Sequence, residues 1–367
     1  MRRLVGTGAA VVALGVGGAG PLAALEVLPE IVVTAESPLG RTAPDSSAGP
    51  AVPDTIAPTT VVRSEELRST GGATLGDALG AKPGITSSGF APGSASRPII
   101  RGLDNYRVRI QENGVGSHDV SALGEDHGVP VDPLAADQVE VVRGPATLRY
   151  GSQAIGGVVD ATNSRILTKP IEGGWKGELR GAHSSVDRGR DGLVRLDAST
   201  DRVGVHLDAW SRASGDYVTP DGRQANSSAR SSGAALGLSW FFDNGFAGLS
   251  LSHYKSLYEV PGLASAANRT KIDLAQTKVT GRGELRVGGF AIDSVRWWFG
   301  ASNYIHSELG PDVMSAFGPL STFRNREQEI RIEVIHQKVE TPFGALRGAA
   351  GVQAGWQALG ASGEAGG

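Results

Sequence analysis

Residues 96–160 read SRPIIRGLDNYRVRIQENGVGSHDVSALGEDHGVPVDPLAADQVEVVRGPATLRYGSQAIGGVVD, and their reading decides the fold. Tyr106, Val108 and Ile110 alternate with Arg107, Arg109 and Gln111, the two-residue period of a half-buried strand, and Asn113-Gly114 follows as a turn signal. A second strand is predicted over Val139–Val142. It stops at Arg143-Gly144-Pro145, where proline removes an amide donor and glycine permits a bend. A third, from Gly156 to Ala161, opens on two glycines that allow close backbone approach. Short strands joined by polar loops predict a small mixed α/β domain.

The same residues resemble the plug domain of TonB-dependent outer-membrane receptors. The resemblance is carried by Arg97-Pro98-Ile99-Ile100-Arg101-Gly102, Glu112-Asn113-Gly114, Asp119-Val120-Ser121, Glu125-Asp126-His127, the run from Val141 to Leu148, and Tyr150-Gly151-Ser152. Asp-Val-Ser and Glu-Asp-His look most like the subgroup associated with uptake of zinc and other metals. The resemblance implies a plug over residues 59–164 and a transmembrane antiparallel β-barrel from residue 165 onward. It also implies the outer membrane of a Gram-negative bacterium as the location.

Working outward, residues 1–24 read as a secretory signal: Arg2-Arg3, then an apolar stretch from Leu4 to Val16, then Ala23-Ala24 as a small-residue cleavage site. Gly15 to Gly20 fits the spacing of a dinucleotide-binding loop. The preceding run is the signal core and no βαβ unit follows, so that reading is rejected. Residues 25–58 hold the β-prone run Glu30-Ile31-Val32-Val33-Thr34-Ala35, followed by a linker rich in Pro, Ser and Ala that ends at Pro58. In the family this run resembles the TonB box, which adds as a strand to the energy-coupling protein TonB. From Thr59 the reading is a strand, then a helix capped by Ser64 and ended by Gly71-Gly72, then a second helix capped by Thr74.

After Ser164 alternating segments recur, at Gly177–Ala182, Leu193–Ala198, Val203–Trp210, Ala235–Phe241, Gly245–Tyr254, Gln276–Val287, Ala291–Ile305, Thr322–Gln337 and Phe343–Gln353. Their lengths suit membrane-spanning strands. Roughly ten such strands make about half of a 22-stranded barrel, so the resemblance implies an incomplete barrel, truncated at its C-terminal side, where the family continues.

The 367 residues carry a formal charge of −3, which with no basic stripe argues against a nucleic-acid partner. With no cysteine, thiolate metal sites, disulfides and cysteine nucleophiles are excluded, and any metal must use histidine, carboxylate and carbonyl ligands. No Ser-His-Asp order, HExxH helix or phosphate loop is present, so no enzymatic activity and no resident cofactor are expected.

The candidate metal ligands are His118 and Asp119 with Glu125, Asp126 and His127, two imidazoles and three carboxylates within ten residues. Such donors suit zinc, copper or nickel; a solvated, hydrogen-bonding loop is the plain alternative. The resemblance to zinc receptors adds weight to Asp126 and His127, whereas Asp119 sits in a family motif that ties the loop down. His306 and Glu308 lie two apart on one strand face, read as luminal, where they could complete a site with that loop, although an exposed loop pair is the plainer account. Arg101, Gly102, Arg143, Gly144 and Pro145 are read as architectural, the two arginines pairing with carboxylates to seat the plug. Tyr254, Tyr258 and Pro261-Gly262 also look architectural. The implied activity is TonB-coupled uptake of a metal ion or metal complex, with zinc as cargo. Its rivals are a siderophore or haem receptor and a non-transporting plug that binds a periplasmic partner.

Overall fold

A computed structural model describes residues 59–363, apart from residues 152, 290, 313, 343 and 347. The predicted signal and the Glu30–Ala35 run lie outside the described residues. The first domain is a five-stranded sheet with spatial order Thr59–Arg63, Gln138–Val142, Gly157–Thr162, Val108–Glu112 and Val115–Gly116. All neighbours are antiparallel except Val108–Glu112 beside Gly157–Thr162, which run parallel. Asn113 and Gly114 both take positive φ, 51° and 82°, which closes the tight hairpin between Val108–Glu112 and Val115–Gly116.

One face of this sheet packs Val62, Val139, Val141 and Val159 against Leu67, Leu75 and Leu79 of two short helices. Those helices span Ser64–Thr70 and Leu75–Leu79. Ser64 is the first helical residue and not the cap: Arg63 holds that position and gives no side-chain cap. Thr74 does cap the second helix, accepting from the Asp77 amide at 3.1 Å.

The second unit is one antiparallel sheet of nine strands, paired in chain order. In sequence they are Trp175–His183, Arg190–Ser199, Val203–Ser214, Ala229–Phe242, Gly245–Glu259, Lys271–Arg286, Ile292–Pro311, Phe317–His336 and Ala349–Gly363. Such strict up-and-down order, with polar residues on one face and apolar ones on the other, makes part of a barrel wall. On the outer face Leu207, Leu236, Leu251 and Val279 stand side by side in register, and all are exposed. The opposite face turns Arg195, His206, Asp208, Lys278, Glu284, His306, Asn325, Glu329 and Arg331 inward, and all of these are buried. This sets the polar lumen against the plug.

Turns 200–202 and 243–244 are short, whereas connections 215–228 and 260–270 at the opposite end are long. Short turns mark the periplasmic end and long loops the extracellular end of such barrels. His306, close to the end of Ile292–Pro311, therefore lies toward the outside.

Candidate metal centre at the plug and wall boundary

Alternation along Ile292–Pro311 sends Ser294, Ser302, Tyr304, His306 and Glu308 to the lumen. The plug loop that follows Val115–Gly116 rises to meet them. Its position is fixed by Tyr258 of the wall, whose hydroxyl accepts from the Gly128 amide at 2.8 Å and donates to the Asp126 carbonyl at 2.6 Å. The Asp119 carboxylate also accepts from the Ser121 amide at 2.8 Å, tightening the loop from within.

These anchors bring His127 of the plug to His306 and Glu308 of the wall. One ligand atom from each lies within 4.8 Å of the others. His127 Nε2 is 3.2 Å from Glu308 Oε1 and 3.9 Å from Asp126 Oδ1. The two imidazole centroids are 4.0 Å apart, and Phe323 stands edge-on to both rings at 5.1 and 5.8 Å. His127 Nδ1 donates to the Val120 carbonyl at 3.0 Å. With Nδ1 holding that proton, Nε2 presents a lone pair toward a carboxylate, a contact that needs a shared proton or a cation between the two. His306 is fully buried, its Nδ1 is 3.3 Å from the Tyr304 hydroxyl, and its Nε2 has no hydrogen-bond partner.

Ligands of tetrahedral zinc, with bonds of about 2.0–2.1 Å, stand roughly 3.3 Å apart. The His127–Glu308 pair already has this spacing. Two imidazoles, one carboxylate and Asp126 nearby match the donor preference of zinc or another borderline divalent ion.

The structure sorts the candidates. His127, His306 and Glu308 converge, with Asp126 at the rim, so the exposed-pair account of His306 and Glu308 does not hold. Glu125 is exposed and stands outside the group. His118 and Asp119 also stand apart: the His118 ring turns to the next wall strand, with Nε2 at 3.4 Å from Glu329 Oε2 and 3.9 Å from Glu327 Oε1. The reason is backbone geometry, since His118 takes φ of 57° and the chain reverses there. Tyr304 and Phe323 complete the centre. Tyr304 was visible as a luminal position two residues from His306, whereas Phe323 is placed by strand register alone, opposite His306.

Seating of the plug falls to residues other than Arg101, which is exposed at a turn beside Gly102. Arg143 donates to the Pro83 carbonyl at 3.0 Å and to the Thr60 hydroxyl within the plug. Gly144 takes φ of 77° and leads into the 3-10 turn Pro145–Tyr150. Plug arginines meet wall carboxylates at Arg109–Glu329 (2.7 and 2.9 Å, both oxygens), Arg149–Glu333 (3.2 Å) and Arg68–Glu178 (2.7 Å), and Arg165, in the connection just after the plug, meets Asp208 at 3.0 Å. Asp132 pairs in the opposite sense with Arg212 at 3.3 Å, and burial pushes its carboxyl above the usual range. Inside the plug, burial and the facing Asp160 push Glu140 up to about 9.

A family model, the TonB-dependent receptor plug domain, matches residues 51–158. Among characterised proteins, the vitamin B12 transporter BtuB of Vibrio vulnificus is 29% identical over 151 residues, covering 41% of this chain and 23% of that protein. The hemin receptor of Yersinia pestis is 33% identical over 100 residues, covering 27% and 14% respectively. Among solved structures, the copper transporter OprC superposes with a TM-score of 0.68 at 16% identity, over 83% of this chain and 47% of that one. The ferric citrate transporter FecA gives 0.63 at 16% identity, over 84% and 49%. The chain thus spans about half the length of the solved structures it matches, and less of the sequence relatives. It carries a TonB-dependent receptor plug domain, followed by part of a β-barrel wall with the fold of TonB-dependent receptors, and its place is the Gram-negative outer membrane.

Proposed function

We propose that this chain forms the plug and adjoining wall of a TonB-dependent transporter that takes up a divalent transition-metal ion, with zinc as the cargo. The observation that carries the reading is the convergence of His127, His306 and Glu308 across the plug and wall boundary, with His127 Nδ1 already committed to a carbonyl. A site divided between two units suits uptake. Its affinity depends on both halves staying in register, so moving the plug separates the ligands and releases the ion. Energy would come from TonB acting on the Glu30–Ala35 segment, and no resident cofactor is needed.

Titration of the detergent-folded protein with zinc tests this: one tight ion is expected, lost in the H127A/H306A double variant with the fold retained. Unchanged zinc binding in that variant overturns the reading. The sequence similarity to a hemin receptor supports a second reading, a receptor for haem or a ferric chelate. Competition separates the two, because haem or a ferric siderophore bound at the same mouth with no zinc binding would favour the second.

A further inference from the structure

The lipid-facing side of the wall differs between its two ends. Strand register lays the outward side chains in rows that cross the sheet. The row nearest the short turns runs Phe242, Gly245, Leu285, Val295 and Val334, and none of these is charged. Ten residues back along Ala229–Phe242, the row through Ser232 holds Lys255 and Arg324. Arg230 stands one row further out and Arg326 one row further in. All four cations are exposed, and none of their side chains has an ion pair or hydrogen bond among the described residues. Across these three rows Asp273 is the one acid among the described residues.

Height places this belt. Ten residues at about 3.3 Å each, on strands tilted by about 40°, rise roughly 25 Å, the height of the apolar band of an outer-membrane barrel. Lys255 and Arg324 therefore stand where hydrocarbon gives way to headgroups on the long-loop side. Like charges left side by side repel, so the belt calls for an anion outside the protein. A membrane with the same anionic lipid in both leaflets would draw cations to both boundaries, whereas here the inner boundary rows are apolar.

The cations form two pairs. Arg324 and Arg326 lie two apart on one strand face, with Asn303 opposite Arg326. Arg230 is diagonal to Lys255 across the neighbouring strand. The pairs are separated by three strand spacings, roughly 14 Å. Between them the floor is made of Ala275 beside Ile305 and Thr277 beside Asn303, with no long charged side chain in the way. Guanidinium groups match phosphate oxygens in a fork, and an ammonium serves as a point charge beside them.

We propose that Arg324 and Arg326, with Lys255 and Arg230 three strands away, form a site on the outer wall for an outer-leaflet lipid whose headgroup carries two phosphates, one held by each pair. The bound lipid neutralises the belt and sets the height at which the wall stands in the membrane. The site faces away from the lumen and is independent of the metal centre.

The test is binding of diphosphorylated lipid A to the detergent-folded full chain, read by native mass spectrometry beside the monophosphorylated form, phosphatidylcholine and inorganic phosphate. The diphosphorylated lipid should bind best, with the monophosphorylated form weaker by roughly fivefold and phosphatidylcholine weaker still. R324Q/R326Q and R230Q/K255Q should each weaken the diphosphorylated lipid on the order of 10-fold. These side chains pack against nothing in the lumen, so the exchanges remove charge and leave the strand pairing in place. Equal binding of the two phosphorylated forms overturns the two-phosphate site. Equal binding of phosphatidylcholine, or parental affinity in both variants, overturns recognition by charge. Inorganic phosphate that displaces the lipid at equal concentration makes the occupant a free anion and overturns the lipid assignment. The lipid comparison uses the parent chain alone, so it decides the matter even where a variant fails to fold.

Discussion

Two buried histidines on the same inner surface are treated in opposite ways. Near the short-turn end, His206 is fully buried with Nδ1 on Asp197 at 2.5 Å and Nε2 on Asp208 at 2.8 Å, while Arg165 from the connection just after the plug closes the group at 3.0 Å. Near the long-loop end, His306 is equally buried but leaves Nε2 without a partner, 4.0 Å between ring centroids from a second histidine. Burying a polar group without a partner costs about 1–3 kcal/mol, so a satisfied histidine holds structure together and an orphaned one waits for something. The inner end is a lock. The outer end has the chemistry of a docking point for a cation.

The largest test of this contrast is at the lock. A Cβ added at Gly237 would lie 1.6 Å from the Arg165 carbonyl oxygen, so G237A should prevent the plug tail from seating, read as loss of the folded, protease-resistant form. R109A comes next. It strips the buried Glu329 carboxylate of its bidentate partner and should destabilise plug seating by about 3–5 kcal/mol in denaturant titration. If metal binding also vanished at low denaturant, lock and docking point would not be separable.

H127A/H306A should lower zinc affinity on the order of 100-fold or more while costing the metal-free protein less stability than R109A, because the loss of the His127 bond and of ring packing is partly offset by removing the unsatisfied His306 Nε2. A large loss of stability would break the comparison.

E140Q sharpens it from within the plug. Glu140 is held protonated up to about 9, whereas an unfolded glutamate ionises near 4.5. Between those values the unfolded state has released a proton that the folded state keeps, so stability falls as pH rises through that window. The variant should match the parent at pH 4 and exceed it at pH 8 by roughly 3–5 kcal/mol, measured by plug unfolding at both pH values. The smallest expected effect is Y304F. It removes the hydroxyl beside His306 Nδ1 and should weaken zinc roughly five- to tenfold, at the low end for a group that only orients a ligand.

Much of this was legible beforehand. Val108–Glu112, Gln138–Val142 and Gly157–Thr162 follow from alternation and from the glycines and proline that end them, because local sterics fix those features. The inward row of Ile292–Pro311 follows in the same way. The converging side chains of His127, His306 and Glu308 are each among the candidates the sequence offers, but so are His118, Asp119 and Glu125, which carry the same chemistry in the same loop. Composition cannot rank them. The positive φ at His118 and the Tyr258 clamp on Asp126 and Gly128 do so, and both depend on chain reversal and cross-domain contact. Arg101 misled for a related reason: its position at a strand end was readable, but which arginine finds a carboxylate depends on what the wall presents opposite it.

The sequence by itself determined the kinds of donor available, with no cysteine and histidines paired with acids, and the two periodicities that build a mixed plug and an alternating wall. Side-chain alternation is a local property, so it survives translation into structure without knowledge of the partner. The tertiary structure alone decided that His127 meets His306 across 179 residues of chain, that Phe323 backs them both, and that His118 falls to a separate cavity. Those choices rest on strand register and on how deep the plug sits, and a shift of one residue in either would reverse which side chains face each other.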